Sequence, residues 1–316
     1  MTIIKGHTNN NIIQTETRQW RSYVEMFVKA YNLGLRLSGL PNLHETQAGG
    51  RLPIESKNDR RLKVVICAPH PDDETLCGAL ALRLKQEQGA EVTCLILTLG
   101  SNQTRKPERL TELKAACGLL GFRWQLSTAP LGLNNITPAD RRQPEWQDKV
   151  QKTAVNLGRL TPDIVIIPHA RDRHPTHEGC HHLIMDALMN RSRERRITIV
   201  ETEFWHPMTT PNLLVGLSAH DLALMLTALT RHRGEIRRNP YHLTQTPRLM
   251  DNVRRGREIL GIEVKEPDFL FGELYRMNFL EIDGKMTPSS PRICALQHLC
   301  IKQDYDQTED RQQNRL

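Results

Sequence analysis

The chain has 316 residues, of which 38% are hydrophobic and 25% are charged. A chain of this length can bury a large core, and its composition excludes collagen-like, coiled-coil and wholly disordered proteins. Lysine and arginine outnumber aspartate and glutamate by 43 to 36, which gives a net charge of +7. Such an excess suits an anionic partner, but the arginines are spread along the chain, which favours a generally basic, solvated surface.

Cysteine usage and hydropathy indicate the compartment. The seven cysteines form no Cys-x-x-Cys pair and lie mostly among apolar residues, as expected of reduced thiols in the cytoplasm. The first twenty residues contain no apolar run of signal-peptide length. The most apolar later stretch, residues 213–229, is interrupted by His220 and Asp221. We therefore expect a cytoplasmic protein without a membrane span.

The N-terminal region is predicted to be a helical extension followed by a linker, over residues 1–59. Residues 1–13 are polar and expected to be loose, whereas residues 15–37 carry apolar side chains at helical spacing along one stripe. This stripe is typical of a helix that packs on the chain's own body. Contact with a partner, or with a second copy in a homo-oligomer, is the alternative.

From residue 62 onward, strand and helix patterns alternate. Strands are predicted over residues 62–69, 91–99, 122–127, 163–168 and 197–204. Helices are predicted over residues 76–88, 109–120, 143–160, 178–189, 218–232 and 249–260. Nearly continuous apolar strands in such an alternation predict a mostly parallel sheet with helices on both faces. We assign residues 60–285 to this α/β domain and residues 286–316 to a polar C-terminal tail.

Two clusters of metal-ligand residues follow two of these strands. The sequence APHPDDE, residues 68–74, comes after the first strand, and HARDRHPTH, residues 169–177, comes after the fourth. Ligands of open parallel sheets bind outside the carboxyl ends of the strands. The acids of the first cluster could simply cap a helix, and the second cluster could be a solvated polar loop. Helix capping does not explain the histidine between two prolines in the first cluster. Together the clusters predict a His/His/Asp zinc site with an open coordination position.

These residues carry a resemblance to a known family. The HPDDE stretch after the first strand, with HPTH after a later one, resembles the LmbE-like (PIG-L) family of zinc-dependent N-deacetylases. The pair Arg109 and Glu112 and the helix end at Gly121 are similar too, and the resemblance spans roughly residues 60–235. It implies a Rossmann-like α/β fold and a hydrolase that cleaves a linear amide C–N bond. The implied substrate is a small N-acetylated amino sugar or a conjugate of one, with N-acetylglucosamine as the family-level expectation.

The resemblance also implies the residues of the metal site. His70, Asp73 and His177 would bind zinc, and Asp72 would act as the general base on a water molecule. A His/His/Asp site with open positions also accepts ferrous iron or another divalent ion. The implied reaction is attack of the activated water on the acetamide carbonyl, with release of acetate and a free amine.

Four further residues are candidates for the pocket. By resemblance, His174 would stabilise the oxyanion and protonate the leaving amine. Arg109 would hold a substrate hydroxyl or anionic group at the pocket rim, and His232 would reach into the same pocket. Trp205 follows the fifth strand, where its flat face suits a pyranose ring, although a position capping the core edge explains it equally well.

Three positions depart from the family pattern. Thr176 stands between the two histidines of the second motif, where the family often has aspartate; its hydroxyl can still accept a hydrogen bond from the His174 imidazole. The family commonly has a Gly-Glu pair after its second strand, and here Gly100 is followed by Ser101. Glu235 replaces the usual glutamine near His232. These changes bear on substrate choice and on the role of His174.

A rival motif overlaps the second cluster. His177, Glu178 and His181 match the HExxH pattern of zinc metalloproteases, with Glu201 or Glu203 as a third ligand. That site should lie within a helix, whereas a proline and a polar stretch place His177 at a helix start. The rival interpretation also leaves the first cluster without a role.

A nucleic-acid or anionic-surface binding protein is the third hypothesis. It is suggested by the basic charge, but zinc-finger spacing, an RNA-binding aromatic signature and a basic helix are all missing from the sequence. The glycine-rich phosphate loops and the GxSxG nucleophile turn are missing as well. We therefore expect a small acetylated sugar as the partner, and no nucleic acid.

Overall fold

The fold is described from a computed structural model over residues 7–43, 60–134, 136–190, 195–261 and 269–296. Its helices are α1 (His7–Leu37), α2 (Asp73–Leu76), α3 (Ala79–Gln88), α4 (Lys106–Leu120), α5 (Glu145–Leu160), α6 (Pro175–Met189), α7 (Ala219–Leu229), α8 (Arg233–Arg238) and α9 (Tyr241–Leu260). Its strands are β1 (Lys63–Ala68), β2 (Glu91–Ile96), β3 (Arg123–Leu126), β4 (Ile164–Pro168), β5 (Ile197–Thr202), β6 (Leu213–Leu217), β7 (Phe271–Leu280), β8 (Met286–Pro288) and β9 (Arg292–Cys294). None of these helices is both long and apolar enough to cross a membrane.

The strands form one mixed sheet in the order β3-β2-β1-β4-β5-β7-β6-β9, with β8 paired to β7. The first five strands of this order are parallel, and β7 runs antiparallel to both β5 and β6. The expected fold class, a Rossmann-like and mostly parallel α/β sheet with an N-terminal helical extension, is confirmed. The strand order changes direction between β1 and β4, so a crevice is expected at their carboxyl ends.

Two hydrophobic layers hold these strand ends in place. Successive residues of a strand point to opposite faces. Val64 and Ile66 of β1 therefore join the core beneath α3, α4 and α7, whereas Val65 and Cys67 join the core beneath α5 and α6. All four side chains are buried. The loops that follow β1 and β4 thus emerge from a strand pair packed on both sides.

The N-terminal helix is longer than its apolar stripe predicts. It begins at His7, so the expectation of a loose segment is wrong from that residue onward. The helix packs on α7 with Val24 fully buried, and Glu16 forms an ion pair with Arg231. Packing on the chain's own body is therefore confirmed. The linker is expected over residues 41–59, of which residues 44–59 lie outside the described part of the chain.

The helix predicted over residues 76–88 is divided. Cys77 and Gly78 separate α2 from α3, and a Cβ atom on Gly78 would lie 2.1 Å from the carbonyl oxygen of Glu74. The close approach of these two backbone segments requires glycine. The short α2 that results carries the second half of the first metal-ligand cluster.

The antiparallel part of the sheet does not follow from the local pattern. Strands β6 and β7 were not predicted, and β8 and β9 lie within residues 286–316, where a polar tail was expected. That expectation is wrong for β8 and β9, while residues 297–316 lie outside the described part of the chain. Strands of three residues are too short to show a hydrophobic period. Their pairing with β6 and β7 comes from tertiary contacts.

Candidate metal centre

The loop after β1 brings His70 and Asp73 together. Asp72 has a positive φ of 114°, which turns the chain sharply into α2. In this turn the backbone N–H of His70 donates to the Asp73 carboxylate at 2.9 Å. The His70 Nδ1 atom lies 3.8 Å from the same carboxylate. The local hydrogen bond therefore places an imidazole and a carboxylate side by side.

The loop after β4 positions His177 in the first turn of α6. Its Nδ1 atom lies 2.7 Å from Asp172, which leaves Nε2 directed at Asp73, 3.6 Å away. The other Asp172 oxygen accepts the backbone N–H groups of residues 204–206 at 3.0 to 3.2 Å. Burial opposes ionisation, but hydrogen bonds from His169 and His177 hold the pKa of Asp172 below its ordinary value. This carboxylate thus fixes the orientation of His177.

His70, Asp73 and His177 can hold a metal ion. One potential ligand atom from each residue lies within 4.8 Å of the other two. Among the described residues, these three form the group of His, Cys, Asp or Glu side chains that is close enough to hold a metal ion. Metal–ligand bonds of about 2.0–2.2 Å put neighbouring ligand atoms slightly more than 3 Å apart, so the observed spacing needs only small movements to close. Burial, together with His177 and Arg109, lowers the pKa of His70 well below its ordinary value. A neutral imidazole is the form that binds metals.

Asp72 lies beside this group and lines the cavity above it. Its side chain is buried, and its carboxylate lies 4.0 Å from the guanidinium of Arg109. Burial and the neighbouring Asp73 raise the pKa of Asp72 well above its ordinary value, and Arg109 opposes this shift only in part. A carboxyl group with a raised pKa accepts a proton more readily than an ordinary aspartate does.

His174 lies on the other side of the metal group, at the N-terminus of α6. Its ring centroid is 5.4 Å from that of His70 and 4.7 Å from that of His177. Burial, and then the proximity of His177, lowers the pKa of His174. Within the described residues its Nδ1 atom has no hydrogen-bond partner, so the hydrogen bond considered for Thr176 is not formed. The Trp205 ring instead stacks on the imidazole at 5.5 Å.

Arg109 lies in the pocket wall rather than at an exposed rim. It is 9% exposed and donates hydrogen bonds to the carbonyl oxygens of Pro71 and Leu99. A Cβ atom on Gly100 would lie 2.4 Å from the guanidinium, which explains a glycine with a positive φ at this position. Arg109 therefore supports the loop between β1 and α2, residues 69–72, which we call the metal loop. It also contributes to the cavity lining.

His232 does not reach into the pocket, and this expectation is corrected. The residue is fully buried, and its Nε2 atom lies 2.7 Å from Glu74. It is not part of the cavity lining among the described residues. The backbone turns inward after α7, where the His232 N–H donates to Leu229, and this turn directs the imidazole beneath the metal loop.

A cavity of about 650 Å³ opens above the metal group. This volume lies within the usual range of about 300–1,000 Å³ for sites that bind small molecules. One wall is aromatic and contains Phe204, Trp205 and Tyr241, with Trp205 47% exposed. The lining also contains polar residues, which include Ser101, Asn102, Gln103, Arg105, Arg109, Glu235 and Arg238. The cavity thus combines an apolar aromatic surface with several hydrogen-bonding groups.

The HExxH interpretation does not match this geometry. The Nδ1 atom of His181 bonds to the Pro168 carbonyl at 3.0 Å and lies outside the metal-ligand group of the described residues. Glu178 accepts the backbone N–H of Arg173. Glu201 and Glu203, the candidates for a third zinc ligand, form ion pairs with Arg276 and Arg255.

Sequence reasoning missed several residues of the site. Asp172 lies within the second cluster, and its position after a strand end, next to metal-ligand histidines, was a usable signal. Glu74 was noted only as part of the first motif, and its contact with His232 spans 158 positions. Tyr241 and Arg238 showed no local signal, because α8 and α9 bring them to the cavity from a distant part of the chain.

Several known proteins are similar to this chain in sequence or in fold. Residues 65–188 match the family model described as PIG-L, GlcNAc-PI de-N-acetylase. A conserved protein of Thermus thermophilus is 25% identical, with 68% of this chain and 93% of that chain covered at a TM-score of 0.51. The 4-carboxy-2-hydroxymuconate hydratase of Pseudomonas putida is 16% identical, with 69% and 96% covered and a TM-score of 0.51. A zinc-inhibited form of teicoplanin deacetylase is 13% identical, with 71% and 100% covered and a TM-score of 0.50.

The hydratase and the teicoplanin deacetylase are similar to this chain in fold alone. One fold hosts different reactions in these two proteins, so the fold does not identify the chemistry. The residues of the site must do so.

Proposed function

We propose that the protein is a metal-dependent N-deacetylase of an N-acetylated amino sugar or its conjugate, because residues 65–188 match the PIG-L family model. The observation that carries the proposal is the convergence of His70, Asp73 and His177 within the matched segment. Asp72 and His174 flank this group on a cavity large enough for a sugar ring. The geometry favours this activity over a protease, since His181 lies outside the group.

The metal would be held by His70, Asp73 and His177, and zinc is the proposed ion. A divalent ion at such a site lowers the pKa of water towards about 7 and polarises a carbonyl oxygen. The two imidazoles and one carboxylate also suit ferrous iron. The hydrogen bond from His177 to Asp172 supports binding, because a carboxylate partner orients a ligating imidazole and increases its basicity.

Asp72 is the proposed general base. Its carboxylate accepts a proton from the attacking water, and its raised pKa keeps that proton available for the amine that leaves. The Arg109 guanidinium beside it opposes the rise, because a positive charge favours the ionised carboxylate. One group can thereby transfer the proton from water to the leaving nitrogen.

His174 is proposed to donate a hydrogen bond to the acetamide oxygen as negative charge develops there. The lowered pKa keeps this imidazole neutral, and a neutral ring still carries one N–H donor. The stacked Trp205 ring restricts the imidazole from one side. Proton delivery to the leaving amine is then assigned to Asp72 rather than to His174.

The substrate ring is proposed to lie against the aromatic wall. Trp205 and Tyr241 present apolar faces suited to a pyranose, and Ser101 and Asn102 can bond its hydroxyl groups. The family description names a GlcNAc conjugate, which supports N-acetylglucosamine as the reacting sugar.

The cysteines of the described residues are buried and form no disulfide bond, which supports a cytoplasmic location.

The proposal is tested by metal analysis together with acetate release from a panel of N-acetylated sugars. We expect Asp72→Asn to retain its metal and to lose turnover by about 10²–10⁴-fold, the usual contribution of a general base. We expect His177→Ala to lose both metal and turnover. His181→Ala is the matched control on the same helix and should keep both. Equal acetate release from all four proteins would refute the mechanism.

A further inference from the structure

Glu74 and His232 form a buried pair that the proposed reaction does not use. Both side chains are completely buried, and Nε2 of His232 lies 2.7 Å from Oε1 of Glu74. The Nδ1 atom of His232 has no hydrogen-bond partner within the described residues. This arrangement fits a ring whose Nε2–H group donates a hydrogen bond to the Glu74 carboxylate. An N–H group at Nδ1 would instead be buried without a partner.

The second oxygen of Glu74 holds the backbone of Asp72. The N–H group of Asp72 donates to Oε2 of Glu74 at 2.9 Å. Asp72 has φ 114° and ψ −28°, a conformation that residues with a side chain rarely adopt. Such a conformation persists when the surrounding contacts determine it. On its carbonyl side, Asp72 accepts the N–H groups of Thr75 and Leu76 at 2.9 and 3.0 Å.

We propose that the Glu74–His232 pair positions Asp72 for catalysis by holding its backbone in this conformation. The pair occupies both oxygens of one carboxylate, so Glu74 cannot rotate without breaking a buried hydrogen bond. Asp72 therefore presents its carboxylate to the cavity beside Asp73. This proposal rests on the proposed function, in which Asp72 is the base, and it makes Glu74 and His232 positioning residues.

His232 also connects the metal loop to Glu235, a residue of the cavity lining. Its carbonyl oxygen accepts the N–H groups of Glu235 and Ile236, both at 3.0 Å, at the start of α8. Glu235 lies in the cavity wall, 3.6 Å from Arg109. The pair thus joins two parts of the site that are 158 positions apart in the chain.

The first test compares three variants in steady-state turnover and metal content. His232→Leu removes the donor, Glu74→Gln removes one of two acceptors, and His232→Gln keeps an N–H near the position of Nε2. We expect kcat to fall by about 10–100-fold in the first two, as for a misplaced catalytic group, with KM and metal content within about twofold. His232→Gln should recover most of kcat. Unchanged kcat in both His232→Leu and Glu74→Gln would overturn the proposal.

A second comparison separates positioning from general destabilisation. Thr227→Val removes a buried hydrogen bond to Ala223 on α7 without touching Glu74, so it should lower Tm and leave kcat unchanged. In an Asp72→Asn background, His232→Leu should change the residual kcat by less than about twofold, because the group it positions is already absent. A further tenfold loss in that background would contradict the proposal.

Crystal structures of the wild type, His232→Leu and Glu74→Gln complete the test. We expect Asp72 to leave its positive φ in at least one variant, with its carboxylate displaced from the cavity. An Asp72 backbone unchanged in both variants would overturn the proposal. This result does not depend on turnover. A wild type without acetate release would refute the proposed function, and the backbone of Asp72 would still decide the positioning role.

Discussion

The floor and the rim of the cavity are built differently. The floor, formed by His70, Asp73, Asp172 and His177, is buried or nearly so, and its side chains contact one another at 2.7 to 3.8 Å. The rim includes Trp205, which is 47% exposed, and Arg238, whose side chain is 67% exposed. The floor therefore has one arrangement, while the rim can vary without disturbing it. We therefore expect metal binding and turnover to depend on the floor, and substrate preference to depend on the rim.

The electrostatic surroundings sharpen this contrast. On the floor, burial, hydrogen bonds and close charges shift the pKa values of His70, Asp73 and Asp172 away from their ordinary values. At the rim, the side chain of Arg238 is largely exposed, and water screens its charge. Changes on the floor should thus have larger effects than changes at the rim.

Among changes to the residues that support the metal ligands and the rim, the largest effect is expected from Asp172→Asn. His177 would lose its carboxylate partner, and loss of such a partner typically lowers metal affinity by about 10–100-fold. Competition with a chelator measures this affinity directly. Glu178→Gln is the control, because Glu178 lies next to His177 on α6. Among the contacts described, its carboxylate accepts a hydrogen bond only from the backbone N–H of Arg173. Equal metal affinity in wild type and Asp172→Asn would show that Asp172 does not support the site.

An intermediate effect is expected from Trp205→Ala. Loss of a stacked ring is worth about 0.5–1.5 kcal/mol, so KM for the best acetylated sugar should rise by up to about tenfold, with metal content unchanged. Trp205→Phe should retain most of the binding. Trp124→Ala is the matched control, since Trp124 is also exposed but lies outside the cavity lining. If both tryptophan variants raised KM equally, the aromatic wall would have no specific role.

The smallest effect is expected from Asp140→Ala, beneath the rim. Asp140 accepts the N–H and the hydroxyl of Thr137, a cavity residue, at 2.7 and 2.6 Å. Burial by itself raises the pKa of Asp140, but these hydrogen bonds lower it overall. Thr137 and Asp140 form a capping box at the start of the short 3-10 helix Pro138–Arg142. We expect the variant to lose about 0.5–1 kcal/mol of unfolding free energy at pH 7, as for other capping residues.

The sign of the pH dependence follows from the lowered pKa of Asp140. Its stabilisation is complete above the unfolded pKa of about 3.9 and is lost as the pH falls through the folded pKa. Urea unfolding at pH 7 and pH 3 should therefore show a smaller difference between Asp140→Ala and wild type at the lower pH. Asp148→Ala, at an exposed acid on α5, is the control. A difference that is equal at both pH values would contradict this account.

Local patterns were sufficient for much of the parallel part of the sheet. Apolar strands such as Ile164–Pro168, and helices that end at glycines such as Gly89 and Gly121, have short-range signals. The two metal-ligand clusters could be placed at one edge because the carboxyl ends of parallel strands share that edge. The strands β8 and β9 and the buried position of His232 had no such signal.

The sequence by itself determined the fold class and the chemistry of the two strand-end clusters, since both depend on residue type and on spacing over a few residues. Tertiary structure alone decided that Asp172 orients His177, that Arg109 braces the metal loop and that His232 lies beneath Asp72. These roles depend on which side chain of a distant segment fills a buried hydrogen bond. That selection is made by packing of the whole core, which no local pattern encodes.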